Sequence, residues 1–213
     1  MGLKERRQRE KLERKKQILD AARTLLLEKG LPATTVNQIA RRAELGVATI
    51  YSYYRNKEEL YVALQEEGLN LLYSGIMEAA QKGKNPPDRI KKMALAYYRF
   101  SEIHKDYFDV INYFLSAPRV IFSSEHKIQV DHLGNKILSL LEEVISDGMR
   151  KGIFKKVNPR RSSIMLWGTQ HGLIQFKKME TTLLQGENHK ALYSFAVEQF
   201  IEGLKVPLPS PFS

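Results

Sequence analysis

The side chains best suited to chemistry in this sequence are hydroxyls and one lysine gathered between positions 35 and 57: Thr35, Thr49, Tyr51, Ser52, Tyr53 and Lys57. Such groups donate hydrogen bonds to phosphate oxygens, which is recognition rather than bond-making. The sequence offers little for catalysis. It holds no cysteine, which excludes disulfides, thiolate metal sites and cysteine nucleophiles. No Gly-x-x-x-x-Gly-Lys phosphate loop, His-Glu-x-x-His metal helix or Gly-x-Ser-x-Gly elbow occurs. His126 and His132 are six apart, a poor spacing for one metal-binding helical face, and read as surface residues. A small helical enzyme with His104 or His171 as its base is the rival reading, but it has neither nucleophile nor metal to act through. The expectation is no enzyme, no metal and no cofactor.

The charge is distributed to match. Of the net +10 carried by 213 residues, positions 1–60 hold 14 Lys/Arg against 8 Asp/Glu, leaving 20 against 16 for the rest. A concentrated basic segment attracts a polyanion, although a solvated lysine-rich tail would give the same count. With 43% hydrophobic residues the chain can bury a core. It contains no apolar run of the roughly 18 residues that a membrane span needs, and its start is charged, without the apolar core of a signal peptide. A soluble, cytoplasmic protein without a membrane partner is expected.

The elements that must position these groups are helices. Apolar residues recur at three- and four-residue spacing, and no alternating strand bounded by turn residues is evident. An all-α fold of about nine helices follows. The first begins in the basic arm, shows Ile18, Ala22, Leu25 and Leu26 on one face, and stops at Gly30 before Pro32. Thr35-Val36-Asn37-Gln38 is a capping box opening a short second helix, and Glu44-Leu45-Gly46 is a tight turn into a third at 47–54. Asn56 and Glu59 cap a fourth helix that runs to about 81, and Asn85-Pro86 opens a fifth. On it Ile90, Met93, Ala94, Tyr97, Ser101 and His104 share a face. A sixth helix, from about 106, carries Phe108, Ile111, Phe114 and Leu115 and ends at Pro118. The seventh spans about 124–151 with Gly152 as its stop, the eighth about 158–184 and the ninth about 188–205, leaving 206–213 as a loose tail.

Two short helices joined by a three-residue turn and buttressed by a preceding helix make the arrangement that sets the second short helix in a DNA major groove. The third helix is then the reader, with Ile50 as its anchor and small residues, Gly46 and Ala48, allowing close approach. Lys57 and the amides of the fourth helix's first turn form a second phosphate site, since a helix N-terminus favours anions. The segments Gln17-Ile18-Leu19-Asp20-Ala21-Ala22, Glu28-Lys29-Gly30, Ala33-Thr34-Thr35-Val36, Ile39-Ala40 and the unbroken run from Thr49 to Leu60 closely resemble the DNA-binding domain of the TetR family, over roughly residues 12–72 with the helix-turn-helix at about 35–54. The resemblance implies a homodimeric repressor that binds a palindromic operator on double-stranded DNA and releases it when a ligand binds. It also implies that Thr35, Val47, Thr49, Tyr51, Tyr53 and Lys57 face DNA. The chain departs from the family in having Glu44 where Gly is usual in the turn, and Gly46 where Ser or Thr usually caps the reader. Val47 also stands where Lys or Arg is common, so base readout rests on apolar contact and backbone positioning.

The remaining residues, 73–205, read as an effector-binding and dimerisation domain. The resemblance implies a four-helix interface made by the last two helices of each copy. Gly168 and Gly172 lie one turn apart, and Leu192, Phe195, Ala196, Gln199 and Gly203 form the partner face of the ninth helix. The small hydrophobic effector is expected among Met93, Tyr97, Phe100, His104, Phe108, Ile111, Phe114, Trp167 and His171, a mostly apolar set with a few polar handles. An ordinary core is the other reading of those residues. A DNA-binding regulator without an effector, or one acting as an activator, fits the same pattern.

Overall fold

The structure, a computed structural model, describes residues 2–116 and 123–207, and nearly all of them are helical. Among them the order is α1 (Leu3–Ala33), α2 (Val36–Arg42), α3 (Val47–Tyr53), α4 (Lys57–Gln81), α5 (Pro86–Ile103), α6 (Lys105–Leu115), α7 (Ser124–Arg150), α8 (Pro159–Gln175), a 3-10 turn at Phe176–Met179, and α9 (His189–Leu204). The expected stop at Pro118 and all but the first two residues of the expected tail lie outside the described residues. No helix among those described is long and apolar enough to cross a membrane.

The caps explain most of the boundaries. Thr35 Oγ1 accepts from Gln38 N while Gln38 Oε1 accepts from Thr35 N, which closes the capping box of α2. Asn56 accepts from Glu59 N, Asn85 from Asp88 N, Asn158 from Arg161 N and Asn188 from Ala191 N. Gly152, at φ +67°, ends the run of α7 in the left-handed region. In α1 the regular helix breaks at Gly30, at φ +75°, where the sequence places its stop.

Two expectations need correction. The eighth helix does not reach residue 184. It ends at Gln175, and the chain passes through the 3-10 turn into turns that include Gln185 and Gly186, both at positive φ. The segment contains Thr181 and Thr182, whose β-branched or backbone-competing character weakens helix extension, and Lys177 is drawn to the Glu102 carboxylate at 2.7 Å. His104 does not share the inward face of α5. Ile90, Met93, Ala94, Tyr97 and Ser101 are buried, whereas His104 lies exposed as the N-cap residue of α6, after the regular periodicity has ended.

The chain packs as two compact units. One comprises Met1–Asn70 with His104–His132, the other Leu71–Ile103 with Leu133–Ser213. The tri-helical head therefore packs with α6, which follows it in space rather than in sequence. In the first unit α6 lies against α1: Leu31 N donates to the Tyr113 hydroxyl at 3.0 Å, and the Arg23 guanidinium sits 4.4 Å above the Tyr107 ring. Its core is mainly aliphatic, with Ile18, Ala22, Leu26, Ile39, Ile50, Leu60 and Leu64 essentially sealed, and it includes the buried rings of Tyr54 and Tyr61. In the second unit α5, α8 and α9 pack on one another. There Tyr193 donates to Ala94 O at 2.8 Å, and its ring lies 5.0 Å from that of Tyr98. Gly148 is required on α7 because a Cβ there would come within 2.1 Å of the buried Phe154 ring.

Candidate nucleic-acid interface

The helix-turn-helix is built around one buried side chain. Ile50 points into the first unit's core with 1% of its surface exposed, which fixes the rotation of α3 about its axis. Ala48, Tyr51 and Ser52 then face outward, Tyr51 with half its surface in solvent, and Val47, Thr49 and Tyr53 sit half-buried at the edges. Tyr54 closes the helix inside the core, where burial and nearby carboxylates push its hydroxyl pKa up to about 12. Gly46 caps α3 through its backbone alone, accepting from Thr49 N at 2.9 Å and Ile50 N at 3.3 Å. Thr35 is exposed at the start of α2.

The turn between α2 and α3 holds Glu44 at φ 52°, in the left-handed region where a side chain is costly and glycine is not. Leu45 N donates to Ala40 O and Glu44 N to Arg41 O, so backbone bonds hold the turn in that conformation. Gln17 Nε2 adds a further bond, to Ala43 O at 2.7 Å, which ties α1 to the same turn. Arg42 pairs with Glu28 at 3.1 Å.

Lys57 is placed differently from a free phosphate ligand. Its Nζ donates to Leu31 O at 2.8 Å and Thr34 O at 2.9 Å, tying the frayed end of α1 to the start of α4, and burial draws its pKa below the usual lysine value. An ammonium has three donors, so one remains for an outside acceptor. The amides beside it are less available than the sequence suggests. Asn56 already takes the N–H of Glu59, and the Glu59 carboxylate takes that of Arg55 at 2.5 Å. Two acids in the first turn, Glu58 and Glu59, also offset the positive helix end. Ser52 is similarly committed, because its hydroxyl donates to Thr49 O at 2.7 Å. Glu58 is bound by Ser123 N and lies 3.0 Å from His126 Nδ1, so His126 is a half-buried partner rather than a plain surface residue. Ser123 and His126 hold the Glu58 carboxyl below its ordinary pKa.

The residues expected to meet an effector divide between the two units. His104, Phe108, Ile111 and Phe114 belong to the first. There Phe114 packs its ring 6.1 Å from Tyr61 and 5.4 Å from Tyr113, as a core residue does. Met93, Tyr97, Phe100, Trp167 and His171 belong to the second. The Tyr97 hydroxyl lies 2.9 Å from His171 Nδ1, the Trp167 and His171 rings are 6.1 Å apart, and burial lowers the imidazole pKa. Two groups on α8 escaped the sequence reading. Ser163 Oγ and Gln170 Nε2 are buried without a hydrogen-bond partner. Their signal was present, since 163, 166, 170 and 174 form one helical stripe in which Leu166 and Ile174 are apolar and the other two are not.

On α8 and α9 the residues expected at a dimer contact lie on the outside. Gly168, Phe195, Gln199 and Gly203 are exposed, and Gly172, Leu192 and Ala196 are half-exposed. No neighbouring atom lies within 4 Å of where a Cβ would stand on Gly168, Gly172 or Gly203, so within the chain nothing requires glycine there. The face buried on α9 is the adjacent one, His189, Tyr193, Val197, Ile201 and Leu204. Among the described residues no three His, Asp or Glu side chains converge as metal ligands.

Similarity to known proteins follows this geometry. Residues 18–64 match the family model of bacterial regulatory proteins of the tetR family. The chain is 25% identical over 159 residues to the uncharacterized HTH-type transcriptional regulator YhgD of Bacillus subtilis, covering 73% of this chain and 79% of that one. It is also 25% identical over 142 residues to the HTH-type transcriptional repressor KstR2 of Mycobacterium tuberculosis, covering 67% and 70%. The structure of the transcriptional regulator FadR from Bacillus subtilis in complex with stearoyl-CoA superposes with a TM-score of 0.74 at 21% identity, covering 88% of this chain and 98% of that one. With α3 anchored by Ile50, residues 18–64 form a helix-turn-helix domain of the tetR family of bacterial regulatory proteins, and over most of its length the chain resembles DNA-binding transcriptional regulators of that family.

Proposed function

We propose that this regulator is a homodimeric, ligand-responsive repressor: α3 of each copy reads one half of a palindromic operator, and a small hydrophobic effector bound within the second unit releases the DNA. The observation that carries this reading is an inversion on α8. Ile164 and Met165 are 45% and 59% exposed, and Phe195 on α9 is 57% exposed, while Ser163 and Gln170 are sealed inside. A helix that exposes apolar groups and buries unpaired polar ones fits a protein whose outer face meets a partner and whose interior meets a ligand.

The outer face suits a second copy of the chain. Gly168 and Gly172 are open, and each interior glycine costs about 1 kcal/mol relative to alanine in a helix, so close approach of a partner helix is what would offset them. The inner face suits an apolar ligand with one polar end. Tyr97 and His171 pair with each other, and Gln170 has a donor to spare. An acyl-CoA thioester fits that description, and FadR of Bacillus subtilis binds stearoyl-CoA. Repression is supported by KstR2, a repressor. For release, the effector must prefer the head spacing that does not fit DNA, since only differential affinity shifts a population. The continuous helix α4 carries Lys57 at one end and contributes residues to both units, as α7 does, so it is one covalent route for that shift.

Selection of duplexes from a random-sequence pool, followed by titration of the enriched duplex with stearoyl-CoA, tests the reading. It predicts an enriched inverted repeat, a dimer by light scattering, and loss of binding as the acyl-CoA is added. An enriched site with no inverted symmetry, or a monomer that binds DNA, would overturn it. Lys57→Ala is expected to weaken binding to all sequences alike and to lower the salt slope by about 1. Because Lys57 also ties Leu31 and Thr34, the same change should lower the melting temperature of the free protein.

A further inference from the structure

The N-terminal turns of α1 are left unexplained by the reading unit. Residues 4–17 are all exposed, and Leu12 is the single apolar side chain in that stretch. The charges within it are segregated. Arg6 pairs with Glu10 at 2.9 Å and Arg9 with Glu13 at 3.9 Å, so one side of the helix is internally neutralised. Lys4, Arg7, Lys11 and Arg14 follow one another at spacings of three, four and three, with Lys15 beside them, and among the described residues none of the five has an acidic partner. This is one continuous cationic stripe about 16 Å long, at 1.5 Å per residue.

The direction of the stripe is set by the rest of the helix. Four residues beyond Arg14 comes Ile18, then Ala22 and Leu25, the stripe that α1 buries in the core of the reading unit. The cationic face is thus the extension of the face that α1 buries in the core it shares with α2, on which α3 packs in turn. At the junction, Gln17 bonds to Ala43 O in the turn that introduces the reader.

We infer that residues 4–15 are a second DNA-binding element, a basic helix that lies along the phosphate backbone beside the half-site and lengthens the contact without reading sequence. The inference rests on the DNA-binding role of α3. Charge complementarity identifies the partner: duplex DNA presents about one negative charge per 1.7 Å of axis, and a stripe of five unpaired cations matches such a rod. A membrane surface is disfavoured because an interfacial helix needs an apolar face, and the one leucine here lies off the cationic stripe.

The test uses the full chain and the duplex obtained by selection, with about ten flanking base pairs on each side. The combined variant Arg7→Gln, Lys11→Gln, Arg14→Gln, Lys15→Gln is expected to bind the same sequence with a salt slope smaller by about 3 to 4 per head, at roughly 0.9 per phosphate contact, and with a footprint shortened at both ends. Arg6→Gln with Arg9→Gln, on the neutralised side, should change the slope by less than about 1. The proposal is overturned if the four-residue variant keeps the slope and footprint of the parent, or if the two variants lose equally. It is also overturned if the variant loses binding to vesicles containing phosphatidylserine while its DNA slope is unchanged. Failure of the intact chain to enrich any duplex would instead remove the role of α3, and the arm's role with it. All the substituted side chains are exposed, so matching thermal melts will show that the fold is intact.

Discussion

The unit built on α1, α2, α3 and α6 and the unit built on α5, α8 and α9 differ in which side chains surround their working helices. In the first, Ile18, Leu26, Ile39, Ile50, Leu60 and Leu64 fill the interior, while the outward face of α3 carries Ala48, Tyr51 and Ser52. In the second, the interior includes Tyr97, Ser163, Gln170 and His189, while Ile164, Met165 and Phe195 face outward. Buried polar atoms without partners occur in both, Arg23 Nη1, Tyr61 OH, Gln65 Nε2 and Glu67 Oε2 in the first and Ser163 Oγ and Gln170 Nε2 in the second, but those of the second lie together on α8, whose outward face carries Ile164 and Met165. A body with polar groups inside and apolar groups outside is less stable alone than its size permits, and it gains by meeting something on each face.

Substitutions at the apolar anchor of α3 and at the unpartnered buried amide of α8 should have opposite signs. Ile50→Ala removes a sealed anchor and is expected to destabilise the first unit by about 2 to 5 kcal/mol, with loss of DNA binding. A chemical denaturation curve checks it, and an unchanged midpoint would mean that α3 is not held by that core. Gln170→Leu replaces a buried amide whose Nε2 has no partner with an apolar side chain of similar size. It should stabilise the protein by about 1 to 3 kcal/mol in the same assay and abolish any rise in melting temperature on adding stearoyl-CoA. Loss of stability instead would show that the amide has a structural partner, and the contrast between the units would narrow.

Smaller effects refine the contrast within each unit. Glu44→Gly relieves a left-handed residue in the turn before α3 and should add about 1 kcal/mol while leaving the selected DNA sequence the same, as a thermal melt and a repeated selection would show. In the body, burial holds His171 below its ordinary pKa of 6.5, so the folded state favours the neutral ring. The resulting contribution is fully present above 6.5 and is lost as pH falls through the lower folded value, with a slope of at most about 1.4 kcal/mol per pH unit. Glu58 and Asp147, whose pKa values are lowered from 4.5 and 3.8, titrate below that window. Stability measured between about pH 5 and 7 should fall toward acid in the parent and flatten in His171→Gln.

The head was legible in the sequence down to individual bonds. The Thr35–Gln38 capping box, the stop at Gly30 and the anchor Ile50 are local or periodic features, and local features survive into the fold because neighbours in sequence are neighbours in a helix. Lys57 was less so. Its type predicted a phosphate donor, but the carbonyls that occupy two of its hydrogens come from Leu31 and Thr34, more than twenty positions away. The same holds for His126, whose partner Glu58 lies on another helix, and for the length of α8, where the pattern gave no boundary short of Gly186.

What the amino-acid sequence determined by itself was the all-helical class, the order of the helices, the caps that bound most of them and the helix-turn-helix segment, because each depends on side-chain spacing within one stretch of chain. What only the tertiary structure decided was which residues share an interior. It joined α6 to the reading unit, divided the expected effector residues between two units, and left Ser163 and Gln170 buried without partners on a helix whose other side is apolar and exposed. Those outcomes turn on which helix face meets which neighbour, a choice that depends on distant parts of the chain and that no single helical pattern can encode.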